Sequence, residues 1–181
     1  MAAGPYIEPN PPAHLLDRIR ERFPDALLET REFRGEITAV VPRGRIVEIA
    51  RFLKDDPGTA FDLLVIVTGT HYLGREYDFE VLYHLKSLRH GHRLRLTVRG
   101  REGETVPSVT GIWPGADWPE REAFDLVGVR FSGHPDLRRI IMPEDYPAHP
   151  LRKDFDVEGG PRSLDGEGRP HSPGFRDMES I

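Results

Sequence analysis

The chain has 181 residues, no cysteine and a formal net charge of −5. Such a length suits one domain with at most an appendage and a sizeable core, and the acidic balance argues against an electrostatic nucleic-acid binder, which carries a basic patch or stripe. Lack of cysteine removes thiolate-held iron–sulfur clusters, Cys-zinc sites, disulfides and a thiol nucleophile together, and suits a reducing compartment.

In chain order, Leu15, Leu16, Ile19 and Phe23 recur at helical spacing after Pro11-Pro12, and Pro24 stops that helix. Ala26 to Phe33 and Glu36 to Val41 read as strands about a turn at Arg34-Gly35. Ile46, Ile49, Ala50 and Leu53 predict a second helix ended by Pro57-Gly58. The continuous apolar run Leu63-Leu64-Val65-Ile66-Val67 predicts a central strand covered on both faces. Phe79, Val81, Tyr83 and Leu85 alternate with Glu80, Leu82 and His84. Leu94, Leu96 and Val98 alternate with Arg93, Arg95, Thr97 and Arg99, a half-buried strand with a basic outer face. Helix, two strands, helix, three strands is the order of a two-layer α+β domain with helices on one face of a mixed sheet, here assigned to residues 1–131 with a third helix near its end.

From 132 to 181 the character changes. Pro135, Pro143, Pro147, Pro150, Pro161, Pro170 and Pro173 deny backbone donors to regular structure. Leu137, Ile140, Ile141, Met142, Tyr146, Leu151 and Phe155 lie between them as apolar anchors, so this segment predicts an extended arm wrapping a partner. No run approaches the ~18–20 apolar residues of a membrane helix. The start, with Pro5, Glu8, Pro9, Pro11 and Pro12, lacks a signal-peptide core, and the expectation is a soluble chain.

The third helix is the densest in charge: Trp118-Pro119-Glu120-Arg121-Glu122-Ala123-Phe124-Asp125-Leu126-Val127-Gly128. Asp117 as N-cap with Glu120 three residues on predicts a capping box, Pro119 fits the first turn, and Gly128 is a left-handed C-cap. Arg121 and Asp125 are spaced one turn apart to pair, while Trp118, Ala123, Phe124 and Val127 offer apolar surface. Glu120, Glu122 and Asp125 invite an acid/base reading, and Glu120 and Glu122 with His134 a free-standing hydrolase. No nucleophile, oxyanion donor or phosphate cradle accompanies them, so no catalytic residue is assigned. The eight histidines lack metalloprotease spacing, and no metal site is expected. No Gly-x-Gly-x-x-Gly opens a helix after a strand, which excludes a Rossmann site for NADH or flavin. His134-Pro135 and His149-Pro150 each open a rigid turn suited to ordering the tail.

Two separated blocks, Glu120-Arg121-Glu122-x-Phe124-Asp125-Leu126 and His149-Pro150-Leu151-Arg152-Lys153-Asp154-Phe155, are joined by Gly133-His134-Pro135-Asp136-Leu137-Arg138. Together the passage from Pro107 to Phe155 resembles the family of the C subunit of NADH-quinone oxidoreductase, respiratory complex I, a family that also supplies membrane-bound hydrogenases. Val127 stands where that family often has an aromatic, and Ala148 where it often has glycine. The resemblance implies a small, cofactor-free accessory protein of the hydrophilic arm on the cytoplasmic side of the membrane, attached to the membrane only through the complex. It holds the D subunit and its neighbours, the B and I subunits, in register, with iron–sulfur clusters, flavin and the NADH and quinone sites on those partners. It further implies a partner interface at Glu120, Arg121, Glu122, Asp125, His134, Arg138, Arg139, His149, Leu151, Arg152, Lys153 and Phe155. The equivalent component of a hydrogenase is the alternative.

Overall fold

The computed structural model describes residues 13–156 and the pair Gly160–Pro161. The prolines up to Pro12, and Pro170 and Pro173 of the expected arm, lie outside the described residues. Helix α1 (Ala13–Arg22) buries Leu15 and Ile19 and ends where Pro24 has no N–H to continue it. Ala26 then donates its N–H to Phe23 O at 3.0 Å, so the first strand begins later than its apolar residues suggest. Strands β1 (Glu29–Phe33) and β2 (Glu36–Val40) form an antiparallel hairpin. Arg34 and Gly35 turn it with φ of 51° and 77°, the left-handed pair that a two-residue hairpin requires.

A 3-10 turn at Arg43–Arg45 runs into α2 (Ile46–Asp55), whose Ile46, Ile49, Ala50 and Leu53 face the core. Strands β3 (Leu63–His71), β4 (Phe79–Lys86) and β5 (Arg93–Gly100) complete a five-stranded sheet in the order β1-β2-β5-β4-β3. Only the β2–β5 pair is parallel, which makes the sheet mixed as expected. One face carries Val67, Val81, Tyr83, Leu85, Leu94, Leu96 and Val98, and these share a single core with α1 and α2. The third helix, α3 (Asp117–Val127), lies over β3 on the same side. Gly69 permits that approach, because a Cβ there would stand 3.2 Å from the Cβ of Ala123.

The run at Leu63–Val67 is an edge strand, contrary to the two-sided burial read from the sequence. Leu63, Val65 and Ile66 are 41%, 56% and 43% exposed. An apolar run reports that a strand is sticky and not how many neighbours it has, and the pairing with β4 slips between Leu64 and Ile66, a bulge that leaves Val65 unopposed. Two short pairs carried no sequence signal: β6 (Thr105–Pro107) runs parallel to β7 (Arg130–Ser132), and β8 (Phe155–Asp156) pairs with β9 (Gly160–Pro161). A boundary after residue 131 passes through β7, and the chain beyond it returns across α3 as a strap, residues 134–153.

Candidate functional site: the face of α3 and the strap across it

Helix α3 is entered through a 3-10 turn at Pro114–Ala116, and its N-cap position is Ala116 with no side-chain cap bond. The capping box expected from Asp117 and Glu120 is therefore not formed. The turn leads straight into the helix, with Asp117 N–H already bonded to Pro114 O, and Glu120 points into the core. Glu120 has no exposed surface, and its Oε1 accepts the Val109 N–H at 2.8 Å. Its Oε2 and the Tyr83 hydroxyl are buried without hydrogen-bond partners. Burial pushes the Glu120 carboxyl up to about 7, against hydrogen bonds from Ser108 and Val109 that favour the anion, and Asp117 adds to the rise. The Tyr83 phenol is pushed up by burial and then by Glu120.

Asp125, in the last turn of α3, is fully buried. The pair with Arg121 expected from their spacing is not made. Arg139 Nη1 donates to Asp125 Oδ1 at 2.7 Å, and Oδ2 accepts the N–H groups of Ile140, Ile141 and Met142 at 3.0, 2.7 and 2.9 Å. Burial raises the carboxyl pKa, but Arg139 and the three amides more than offset it and hold the group below its ordinary value. A carboxylate that collects three successive backbone donors and a guanidinium is a far better anion site than a surface i,i+4 partner.

The same residues finish the helix. Gly128, at φ 87°, sends its N–H to Phe124 O, and Val129 N–H reaches Ala123 O. Asp125 O accepts from Arg139 Nη1 at 3.0 Å and from His149 Nδ1 at 2.8 Å, and Leu126 O accepts the Leu151 N–H at 2.8 Å. The C-terminal carbonyls that a helix leaves without intrahelical partners are thus met by the chain beyond residue 138. Arg139 Nη2 also donates to Tyr146 O at 2.7 Å and Ala148 O at 3.0 Å, closing the loop on itself. The His149 ring sits against Gly128, where a Cβ would come within 2.8 Å of it, and meets Phe124 edge-on. The Asp125 carbonyl can only accept, so His149 Nδ1 is the donor, and burial lowers the His149 pKa.

At the other end of the strap, Arg121 is 7% exposed and gives its Nε–H to Arg138 O at 3.3 Å, with its guanidinium over the Trp118 ring. His134 bridges as its turn suggested: Nε2 donates to Asp117 O at 3.2 Å, and Nδ1 accepts the Asp136 N–H at 3.0 Å. Arg152 forks between Glu102 and Asp154, which hold its pKa above the ordinary value, and Lys153 N–H donates to His71 Nδ1 at 3.0 Å. Burial lowers the His71 pKa.

Of the twelve residues assigned to an interface, Glu120, Arg121 and Asp125 are buried within this chain, and Arg139 and His149 serve the strap. Glu122, Arg138, Leu151 and Lys153 are exposed, and Phe155 is half-buried in β8. Glu120 faces the core while Glu122 faces solvent, so the carboxylates and His134 of the hydrolase reading do not meet at one accessible site. Sequence reasoning missed Tyr83, His71, Glu102 and the amides of Ile140 to Met142. Each is brought to α3 or to the segment across it from elsewhere in the chain, and an amide donor leaves no trace in residue type.

A family profile described as "Respiratory-chain NADH dehydrogenase, 30 Kd subunit" matches residues 39–161, most of the sheet together with α3 and the strap. The chain belongs to this family. The C subunit of NADH-quinone oxidoreductase from Roseiflexus sp. (strain RS-1) is 52% identical over 143 residues, covering 78% of this chain and 82% of that protein. For the C subunit from Geotalea uraniireducens (strain Rf4) the identity is 44% over 146 residues, with 80% and 88% covered. A chain from the membrane-bound sulfane sulfur reductase, an archaeal respiratory membrane complex, matches with a TM-score of 0.68 and 28% identity, covering 80% of this chain and 85% of that one. In this 30 Kd family member, then, the charged blocks that carried the family resemblance lie against each other as helix and strap.

Proposed function

We propose that this chain is the C subunit of an NADH-quinone oxidoreductase: a cofactor-free scaffold that fixes the relative positions of the redox-active subunits and catalyses no step itself. The observation that carries the reading is family membership over most of the chain, with the Roseiflexus C subunit 52% identical across 82% of its length. Supporting the scaffold role, every buried ionisable group of α3 is bonded within the chain, as Asp125 is to Arg139 and Glu120 to Val109. Glu120 and Asp125 have no exposed surface at which a substrate could meet them. The sequence has no cysteine to ligate an iron–sulfur cluster, and among the described residues no three His, Asp or Glu gather as metal ligands.

On this reading the clusters, flavin, NADH site and quinone site belong to neighbouring subunits, chiefly the D subunit with the B and I subunits. The complex holds this chain peripherally on the cytoplasmic side, and among the described residues no helix is long and apolar enough to cross a membrane. The strap's exposed Arg138, Leu151 and Lys153, with Glu122 on α3, are the contacts offered to those neighbours. Electron transfer needs fixed geometry, which a rigid scaffold supplies by buried surface. The likeness to the sulfane sulfur reductase chain favours a second reading, in which the same scaffold serves a complex fed by another donor.

Affinity purification of the tagged chain from its own membranes tests both. An NADH-oxidising, quinone-reducing assembly is expected, with the separately expressed chain colourless in the visible range. A large partner complex without an NADH-oxidising module would establish the second reading. Stoichiometric iron or flavin in the isolated, folded chain would defeat the cofactor-free role.

A further inference from the structure

We propose that the outer edge of β3 receives an extended strand from a neighbouring subunit, one that carries apolar side chains and a carboxylate together on one face. The inference rests on the proposed reading as a member of a complex and specifies one of its contacts. β3 closes the sheet at nine residues, and its sequence from Leu63 to Thr70 contains no charge and no proline. Those are the devices by which monomeric proteins usually blunt an edge. Outside the ladder with β4, no backbone hydrogen bond engages residues 63–70 among the described residues. A row of unmet N–H and C=O groups is a template for one more strand.

Side chains define what that strand carries. Leu63, Val65 and Ile66 are all more than 40% exposed at this edge, which supplies the apolar positions. Across the ladder Leu63 is opposite Lys86, so a cation on the neighbouring strand stands beside the apolar strip, on the same face. Lys86 shares with Leu63 and Val65 a groove of about 360 Å³. Glu36 also lines it but is bound to Arg95, and Arg99 is taken by Glu29 and Glu80. Lys86 has no ion-pair partner among the described residues, and a carboxylate on the incoming strand complements it. This chain's own ends are poor occupants: Pro5, Pro9, Pro11 and Pro12 at one, and Pro170 and Pro173 at the other, interrupt any ladder.

Hydrogen exchange over residues 62–70, measured in the full-length chain alone and within its purified complex, tests the proposal. At least tenfold slower exchange in the complex is expected. Lys86→Glu is expected to lower the incorporated fraction at least tenfold, with the melting temperature of the isolated chain unchanged. Lys86→Arg is expected to incorporate normally. Unchanged exchange inside an intact NADH-oxidising complex overturns the added strand and leaves the proposed function standing, whereas failure to find any complex overturns both. Protection that grows with concentration in the chain alone puts a second copy on this edge and removes the neighbouring subunit from it.

Discussion

Helix α3 and strand β3 pack on each other, yet α3 buries Glu120, Arg121 and Asp125 while β3 leaves Leu63, Val65 and Ile66 in solvent. The difference lies in where each set finds its partners. Arg121 and Asp125 of α3 are met inside the chain by the Arg138 carbonyl, Arg139 and the amides of residues 140–142, and Glu120 is met in part by Val109. Burial of a charge is tolerable only on such terms. The apolar groups of β3 have no cover in the chain, and a contiguous exposed apolar strip points to something outside it. Charged residues in a family signature therefore mark an internal fastening here, and the plain aliphatic run marks an outward face.

The contrast breaks most visibly at Asp125. Asp125→Ala strands the Arg139 guanidinium and three amides, and removing one partner of a buried pair costs roughly 3–5 kcal/mol. Chemical denaturation of the isolated chain is expected to show a loss of that size; a change under about 1 kcal/mol would mean the pair behaves as a surface one.

Glu120 tests burial without full satisfaction. Its carboxyl stands at about 7 in the folded chain against an ordinary 4.5. Below the lower value both states hold the proton, and between the two the unfolded chain releases it first. Stability is therefore fully present below pH 4.5 and falls as pH rises to 7, by roughly 3 kcal/mol at about 1.4 kcal/mol per unit. Glu120→Gln keeps an acceptor for Val109 and is expected to flatten that profile, leaving the variant more stable than the native chain at pH 8. Parallel profiles for the two proteins would refute the inward, protonated Glu120.

Smaller effects are expected farther out. Arg152 joins the strap to Glu102, whose side chain is 65% exposed, so Arg152→Ala is expected to cost at most about 1 kcal/mol. Faster tryptic cleavage at the neighbouring Lys153 would be the clearer sign. On β3, Val65→Thr is expected to change the isolated chain by no more than about 0.5 kcal/mol, a thermal-melt measurement that sets the edge apart from the α3 network. A large loss there would show Val65 to be a core residue.

Much of the fold was legible because periodicity survives local reading. Ile46, Ile49, Ala50 and Leu53 announced α2, and Phe79, Val81, Tyr83 and Leu85 announced β4 with the correct inner face. Position within the sheet was not legible for Leu63–Val67, since the β4 ladder and the bulge at Val65 are set by residues elsewhere. Gly128 was read correctly as a C-cap because φ 87° admits few other residues. Arg121 and Asp125 were misjoined because i,i+4 spacing is visible in sequence, whereas Arg139 and three amides reach Asp125 only after the strap has folded back.

The central claim is that residues 138–151 are fastened to α3 by the chain itself. Amide exchange at Ile140, Ile141 and Met142 in the isolated full-length chain addresses it most directly, because those three N–H groups all end on Asp125 Oδ2. Protection approaching that of the core strands is expected, and its loss in Asp125→Ala. Exchange at the rate of an open loop in the native isolated chain, with protection appearing only inside the complex, would contradict the claim and make the strap an arm that its partners fold.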